Sequence, residues 1–205
     1  MKFYNSVGPN PRVVALFMAE KGISITEVAV DLRSGENRRA PYNVEVNPAG
    51  QTPALELDDG TILTEITAIC EYLEERFPRP VLIGATPEER AATRMWTRRV
   101  DLKICEPLTN GFRFAEGLPL CESRMRCLPE AAAGLKAVAQ DGLRWLDPLI
   151  AGRDFIAGDR ISLADILLFA FLDFGAGMGQ PLDPANGNIL RWYEGMKARS
   201  SANPS

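Results

Sequence analysis

The residues that can do chemistry in this chain are defined first by what is missing. The sequence holds no histidine. That removes Ser-His and Cys-His nucleophile pairs, histidine general bases and histidine metal ligands together. Cys70, Cys105, Cys121 and Cys127 form no Cys-x-x-Cys pair, so the spacings for zinc and for dithiol redox chemistry are absent, and no metal is expected. What remains is concentrated in Asn47-Pro48-Ala49-Gly50-Gln51-Thr52-Pro53-Ala54-Leu55-Glu56-Leu57-Asp58-Asp59-Gly60-Thr61-Ile62-Leu63-Thr64-Glu65. A loop rich in amide side chains leads through Thr-Pro into a short apolar run. An Asp-Asp-Gly turn, a second run and an acidic helix start follow. Such a stretch can bring free peptide groups and one carboxylate together around a small peptide-like ligand.

The elements that must position this stretch follow from periodicity. Lys2 to Ser6 reads as a strand, and Val7-Gly8-Pro9-Asn10-Pro11 as a turn. A helix is expected from there, with Asn10 as N-cap, Pro11 at the first helical position, an apolar face of Val13, Leu16 and Phe17, and a stop at Gly22. Ile25 to Val30 alternates as a strand. Asp31 to Arg39 is expected to be a mobile polar loop, and Pro41 to Val46 a short helix. Leu55-Glu56-Leu57 and Ile62-Leu63 form a hairpin across Asp58-Asp59-Gly60. A helix then carries Ile66, Ile69, Cys70 and Leu73 to the neighbourhood of Pro78.

After this the strand signals stop. Thr86-Pro87-Glu88-Glu89 is a capping box with proline at the first helical position. That helix runs past Trp96 and Val100 toward a kink at Pro107. A second long helix is expected from Ser123 to Leu149. A third, nearly all apolar, runs from the box Ser162-Leu163-Ala164-Asp165 to Phe174, and Gly175 to Gly179 breaks it. A last helix covers about Ile189 to Lys197. The fold class is α+β in two domains: residues 1–79 mixed α/β, 80–86 a linker, and 87–205 all-helical.

Composition narrows the partners. With 46% hydrophobic and 24% charged residues, the chain is ordinary globular material, and a formal net charge of −4 gives no reason to expect nucleic acid. Arg94, Arg98, Arg99 and Lys103 are spaced as one solvated helix face. No apolar run is long enough to span a membrane, and Met1 to Ser6 carries no signal-peptide pattern, so a cytoplasmic protein with reduced thiols is expected.

The order of these motifs resembles the cytosolic glutathione transferase family over about residues 1 to 200. The carriers are Asn47-Pro48-Ala49-Gly50-Gln51-Thr52-Pro53, Glu65-Ile66-Thr67-Ala68-Ile69 and Ser162-Leu163-Ala164-Asp165. The turn Gly8-Pro9-Asn10-Pro11-Arg12 resembles fungal and bacterial members that lack the usual tyrosine, serine or cysteine activator. The resemblance implies a thioredoxin-like N-terminal domain that binds glutathione as co-substrate. It implies an all-α C-terminal domain that lines a pocket for a small hydrophobic electrophile, and a homodimer. It also implies a cis peptide before Pro53, with the Thr52 backbone pairing with the cysteinyl part of glutathione.

Such an enzyme must hold glutathione as a thiolate. Tyr4 and Ser6 are candidates by type, but Tyr4 lies inside the strand and Ser6 precedes the position where serine-type members carry their hydroxyl, which here is Gly8. Backbone N–H groups from Gly8 to Arg12 at a helix N-terminus are the alternative. Asn10 is either a plain N-cap, a donor to the sulfur, or both. Arg12 either steers the glycyl carboxylate or pairs with a local acid. Gln51 stands where a lysine often holds that carboxylate; it donates without charge. Glu65 is favoured at a helix start by the dipole alone, and the resemblance assigns it to the glutamyl ammonium. Ile66 replaces the usual serine, which leaves its backbone amide and the Thr67 hydroxyl for the glutamyl carboxylate. Asn110, Phe112 and Arg113 are the candidates for the electrophile pocket, with Phe112 and its neighbour Phe114 also suited to a core. Transfer to electrophiles is the expected activity. Glutathione-dependent disulfide reduction and non-catalytic binding are the alternatives.

Overall fold

The computed structural model describes residues 1–202. The chain divides into two compact units, Met1–Pro80 and the residues from Val81 on. The first unit is a four-stranded sheet in the order β2-β1-β3-β4, with β1 Lys2–Asn5, β2 Thr26–Ala29, β3 Ala54–Glu56 and β4 Ile62–Thr64. β1 is parallel to β2 and antiparallel to β3, and β3 is antiparallel to β4. Helix α1, Pro9–Lys21, connects the parallel pair, as a crossover must, and α2, Ile66–Arg76, follows β4. Phe3 opposes Leu55 across the sheet, and both are fully buried. Val13, Val14, Phe17, Ile69, Cys70 and Leu73 are fully buried too. Burial of each of the larger side chains contributes roughly 1.5–3 kcal/mol.

Gly22 ends α1 in the left-handed region, φ 64°, and the Ile23 N–H returns to the Met18 carbonyl at 2.9 Å. One residue earlier lies a buried charge that the helical pattern did not announce. Lys21 Nζ meets Glu74 at 2.6 Å and also donates to the carbonyls of Phe77 and Pro80, each at 2.7 Å. Three donors find three acceptors, which is the condition for keeping an ammonium out of water.

One expectation needs correction in the first unit and two in the second. Gly8, not Asn10, is the N-cap of α1, and Asn10 is its second helical residue. The turn bends at Gly8, with φ 119°, where only glycine is at ease, so the helix opens at Pro9, two residues before the expected Pro11. The stretch from Asp31 to Arg39 is folded on itself. Asp31 accepts from the N–H groups of Arg33 and Ser34, and Glu36–Arg38 forms a 3₁₀ turn. Pro41 to Val46 is helical, but as a single π turn, Tyr42–Val46.

The second unit contains α3 Pro87–Val100, α4 Glu106–Arg113, the single turn α5 Leu118–Cys121, α6 Ala132–Leu146, α7 Leu163–Gly177 and α8 Gly187–Lys197. α3 and α4 are joined by a π segment, Asp101–Cys105. Pro107 has no N–H to return to the preceding turn, so the ladder loosens there rather than breaking. α6 passes this segment at Gly142, where an added Cβ would lie 2.5 Å from the Lys103 carbonyl oxygen. The long helix expected from Ser123 to Leu149 is only Ala132–Leu146. Leu128 is held off the helical region before Pro129, and Pro148 sits in a terminal 3₁₀ turn. α7 continues past Phe174 to Gly177, so the glycines end it later than expected. Leu82 and Ile83, inside the expected linker, are buried, and Leu82 accepts the Leu163 N–H at 2.9 Å.

The basic residues Arg94, Arg98, Arg99 and Lys103 are exposed. Arg99 lies over the Trp96 ring and Lys103 over Trp145, each at 5.0 Å from the ring centre. No helix among the described residues is long and apolar enough to cross a membrane.

Candidate functional site

The sheet register decides where the candidate residues go. β1 ends at Asn5 beside the start of β3, and β3 starts beside the end of β4. The turn after β1, the residues before β3 and the turn after β4 therefore lie at one end of the sheet. Those are Ser6 to Arg12, Gln51 to Pro53 and Glu65 to Thr67. Every candidate assigned to the first unit except Tyr4, which lies inside β1, stands at that end.

The Thr52–Pro53 peptide is cis. The loop leading to it is held by polar side chains. Tyr42 Oη and Asn47 Nδ2 both donate to the Gln51 carbonyl, at 2.7 and 2.9 Å. Asn47 Oδ1 accepts the Ala49 N–H at 3.0 Å, and Asn37 Nδ2 donates to the Gly50 carbonyl at 2.5 Å. Burial pushes the Tyr42 phenol up to about 12, so it stays protonated and keeps donating. Nothing in the sequence beyond the amide-rich composition announces this clamp, because Asn37 and Tyr42 lie outside the motif. Gln51 itself is exposed, while Thr52 and Pro53 are buried.

Two helices begin at this end without a side-chain cap. A helix start leaves the N–H groups of its N-cap and first three residues without helical partners. For α1 those positions are Gly8, Pro9, Asn10 and Pro11, so only Gly8 and Asn10 carry a donor. For α2 they are Glu65, Ile66, Thr67 and Ala68, and all carry one. The second start is thus richer in donors. Its N-cap, Glu65, has φ 67°, and among the described residues it alone takes a positive φ without being glycine. That conformation costs on the order of 1–3 kcal/mol. Glu65 and Thr67 are exposed and Ile66 half-buried. Arg12 follows one turn into α1, half-buried.

The hydroxyl candidates separate. Tyr4 Oη donates to Glu56 Oε2 at 2.7 Å, and that bond, with burial added, pushes its phenol up to about 12. Tyr4 therefore belongs to the sheet. Ser6 has a different partner: its Oγ lies 2.5 Å from Thr52 Oγ1, beside the cis peptide. Cys70 and Cys105 are fully buried and pushed up by desolvation, so neither is a nucleophile.

In the second unit, Glu106 accepts from Asn110 Nδ2 at 3.1 Å, and Asn110 Oδ1 accepts from Arg113 at 3.1 Å, a polar row along α4. Phe112 is half-buried, edge-on to Phe174 with ring centres 5.0 Å apart. Phe114 is buried. Asp101, on the π segment, is pushed up, first by burial and then by Glu106, against the nearby Arg98. Ser162 and Asp165 are structural. The Asp165 carboxylate accepts from the N–H groups of Ile156 and Ser162, the Ser162 hydroxyl and Trp192 Nε1, at 2.7–2.9 Å. Among the described residues no group of three or more acidic or thiol side chains could hold a metal ion.

A thioredoxin-like sheet domain followed by a helical domain defines a glutathione transferase fold. The sequence matches the family model described as Glutathione S-transferase, N-terminal domain, over residues 7–76, and its C-terminal domain counterpart over residues 122–200. It is 32% identical to Glutathione S-transferase 2 of Saccharomyces cerevisiae, covering 95% of this chain and 84% of that protein. The crystal structure of Gtt2 from Saccharomyces cerevisiae superposes with a TM-score of 0.91 at 32% identity, over 98% of both chains. A glutathione S-transferase domain-containing protein of Marinobacter aquaeolei does so with 0.90 at 33% identity, over 98% of this chain and 99% of that one. The chain belongs to the glutathione S-transferase family, and glutathione transferase is the function its relatives and fold support.

Proposed function

We propose that the protein conjugates the glutathione thiolate to small electrophilic compounds, with the thiolate held at the start of α1. The observation that carries this is the convergence at one sheet end of two uncapped helix starts and the clamped Gln51–Pro53 loop. The N–H groups of Gly8 and Asn10, with the Asn10 amide, stabilise the sulfur anion by hydrogen bonds and by the positive end of the helix. Thr52 pairs through its backbone with the cysteinyl residue, and Pro53 fixes the loop. Glu65 meets the glutamyl ammonium, and the Ile66 N–H and Thr67 hydroxyl take its carboxylate. Gln51 and Arg12 serve the glycyl carboxylate. Asn110, Phe112 and Arg113 serve the hydrophobic electrophile. The protein works in the cytoplasm as a homodimer, in detoxification.

Two assays test this together. Glutathione raises the melting temperature by mass action, by roughly 2.7 kcal/mol of stability at a hundredfold excess over Kd. A chloronitrobenzene is then turned over. Turnover of hydroxyethyl disulfide alone would make the protein a reductase, and a shift with no turnover a binding module. Absence of both would end every glutathione reading.

A further inference from the structure

The start of α1 is poor in donors for an anion site. Pro9 and Pro11 remove two of its four positions, and what is left is the N–H of Gly8 and of Asn10. A second source of hydrogen bonds stands next to it. β1 and β3 pair in the register Lys2↔Glu56, Phe3↔Leu55, Tyr4↔Ala54. Carried two residues further, that register sets Ser6 opposite Thr52. The backbone ladder does not extend so far, because Pro53 has no N–H to offer. The side chains continue it: Ser6 Oγ and Thr52 Oγ1 are 2.5 Å apart.

The pair shares one hydrogen and has a second to place. Ser6 Oγ also stands 3.3 Å from the Val7 carbonyl oxygen. With Ser6 donating to Val7, Thr52 donates to Ser6 and both hydrogens are used. With Ser6 donating to Thr52, the Thr52 hydrogen is released for a ligand. The exchange gives up a long neutral hydrogen bond. An anion beside Thr52 replaces it with a charge-assisted one, which is about twice as strong. Donation from Ser6 also polarises the Thr52 hydroxyl and makes it the better donor.

The neighbouring geometry says which anion. The Gln51 carbonyl is pinned by Tyr42 and Asn47, so the Thr52 backbone is presented at a fixed place. When an extended peptide pairs with that backbone, directly opposed residues bring their Cβ atoms to about 4.5–5.5 Å. A cysteinyl residue there has its sulfur within reach of Thr52 Oγ1. Resting on the transferase reading above, we propose that the Thr52 hydroxyl, backed by Ser6, donates a hydrogen bond to the glutathione sulfur and acts as a catalytic residue. Neither hydroxyl is a base. The thiol proton leaves to water, and the pair stabilises the thiolate that remains. Tyr4 cannot substitute, because its hydroxyl is committed to Glu56.

The test uses the full-length protein. Glutathione affinity is measured by calorimetry, and kcat/KM for a chloronitrobenzene is followed against pH. Thr52→Val keeps the shape and removes the hydroxyl. It should move the apparent pKa of the bound thiol up by about one unit and slow turnover roughly tenfold on the acid side of the profile, at nearly unchanged affinity below that pKa, where the bound thiol is neutral. Thr52→Ser should restore the profile. Ser6→Ala should move it in the same direction by less, and adding it to Thr52→Val should change nothing more, because the two act as one unit. A folded Thr52→Val protein that binds glutathione with an unmoved profile overturns the proposal. Should that variant fail to fold, an unmoved profile in Ser6→Ala overturns it instead. Failure of the unaltered protein to bind glutathione removes the transferase reading and this inference with it. Binding and turnover with an indifferent Thr52 remove this inference alone.

Discussion

The starts of α1 and α2 in the first unit and of α3 and α7 in the second are made from the same peptide groups and are finished differently. In the second unit the starts of α3 and α7 are closed by side chains. Thr86 caps α3 by accepting the Glu89 N–H at 3.2 Å, and Glu89 returns to the Ala85 N–H at 2.8 Å. Asp165 closes α7, accepting from Ser162, Ile156 and Trp192 with no exposure to solvent. In the first unit, α1 and α2 carry no side-chain cap, one begins at a glycine with φ 119°, and the other at a strained glutamate. A closed start stabilises a core. An open one leaves donors and a positive dipole end for something else, and the uncapped starts of α1 and α2 are at the sheet end that holds the cis-proline loop. The difference teaches that the same helix start is a sealed structural end when a side chain caps it and a source of free donors when none does.

The comparison can be broken most forcefully at the closed end. Asp165→Ala leaves the Ile156 and Ser162 N–H groups and the Trp192 indole N–H without their acceptor in a dry core. At about 1–3 kcal/mol for each buried unsatisfied group, this should remove most of the stability. Urea denaturation should show it, and whatever protein remains folded should still bind glutathione. At the open end the expectation reverses. Glu65→Gly relieves the positive φ, so stability should hold or rise by up to about 1 kcal/mol. Glutathione affinity should fall by roughly tenfold, the worth of one charge-assisted contact. Calorimetry and a melting curve on the same sample decide it, and a variant that loses both stability and affinity would mean that Glu65 is structural.

A smaller effect sharpens the roles of the tyrosines in the open unit. Tyr4 and Tyr42 are each pushed up to about 12, the first chiefly by its bond to Glu56 and the second by burial. A folded pKa raised above the ordinary phenol value means that the proton is bound more tightly in the native state. The resulting stability is complete below pH 10.0 and is lost as the pH rises through about 12. Phenolate absorbance should therefore rise late for these two side chains, alongside a gradual alkaline loss of stability. Neither should appear in the pH profile of turnover near neutrality.

Much of this was legible because it is local. The Gly22 stop, the Asp58-Asp59-Gly60 hairpin turn, the cis peptide at Thr52–Pro53 and the Ser162–Asp165 box each depend on residues a few positions apart. What escaped depends on register and packing. Lys21 and Glu74 lie in different helices, and nothing in the pattern of α1 tells a buried lysine from a solvated one. Ser6 looked too early for chemistry until β1 and β3 were aligned and set it against Thr52. Asn10 looked like a cap because Asn-Pro commonly makes one, yet the positive φ of Gly8 moved the helix start upstream. Tyr42 and Asn37 clamp the loop through contacts that no motif spells out.

The central claim is that the uncapped starts of α1 and α2 bind the ligand and the capped starts of α3 and α7 do not. Backbone amide resonances followed by NMR during a glutathione titration test it directly. The account predicts that the N–H signals of Gly8, Asn10, Thr52, Glu65, Ile66 and Thr67 move, while those of Glu89, Ser162 and Leu163 stay. Still signals at Gly8 and Ile66 under saturating glutathione, or movement at Ser162 in their place, would contradict it.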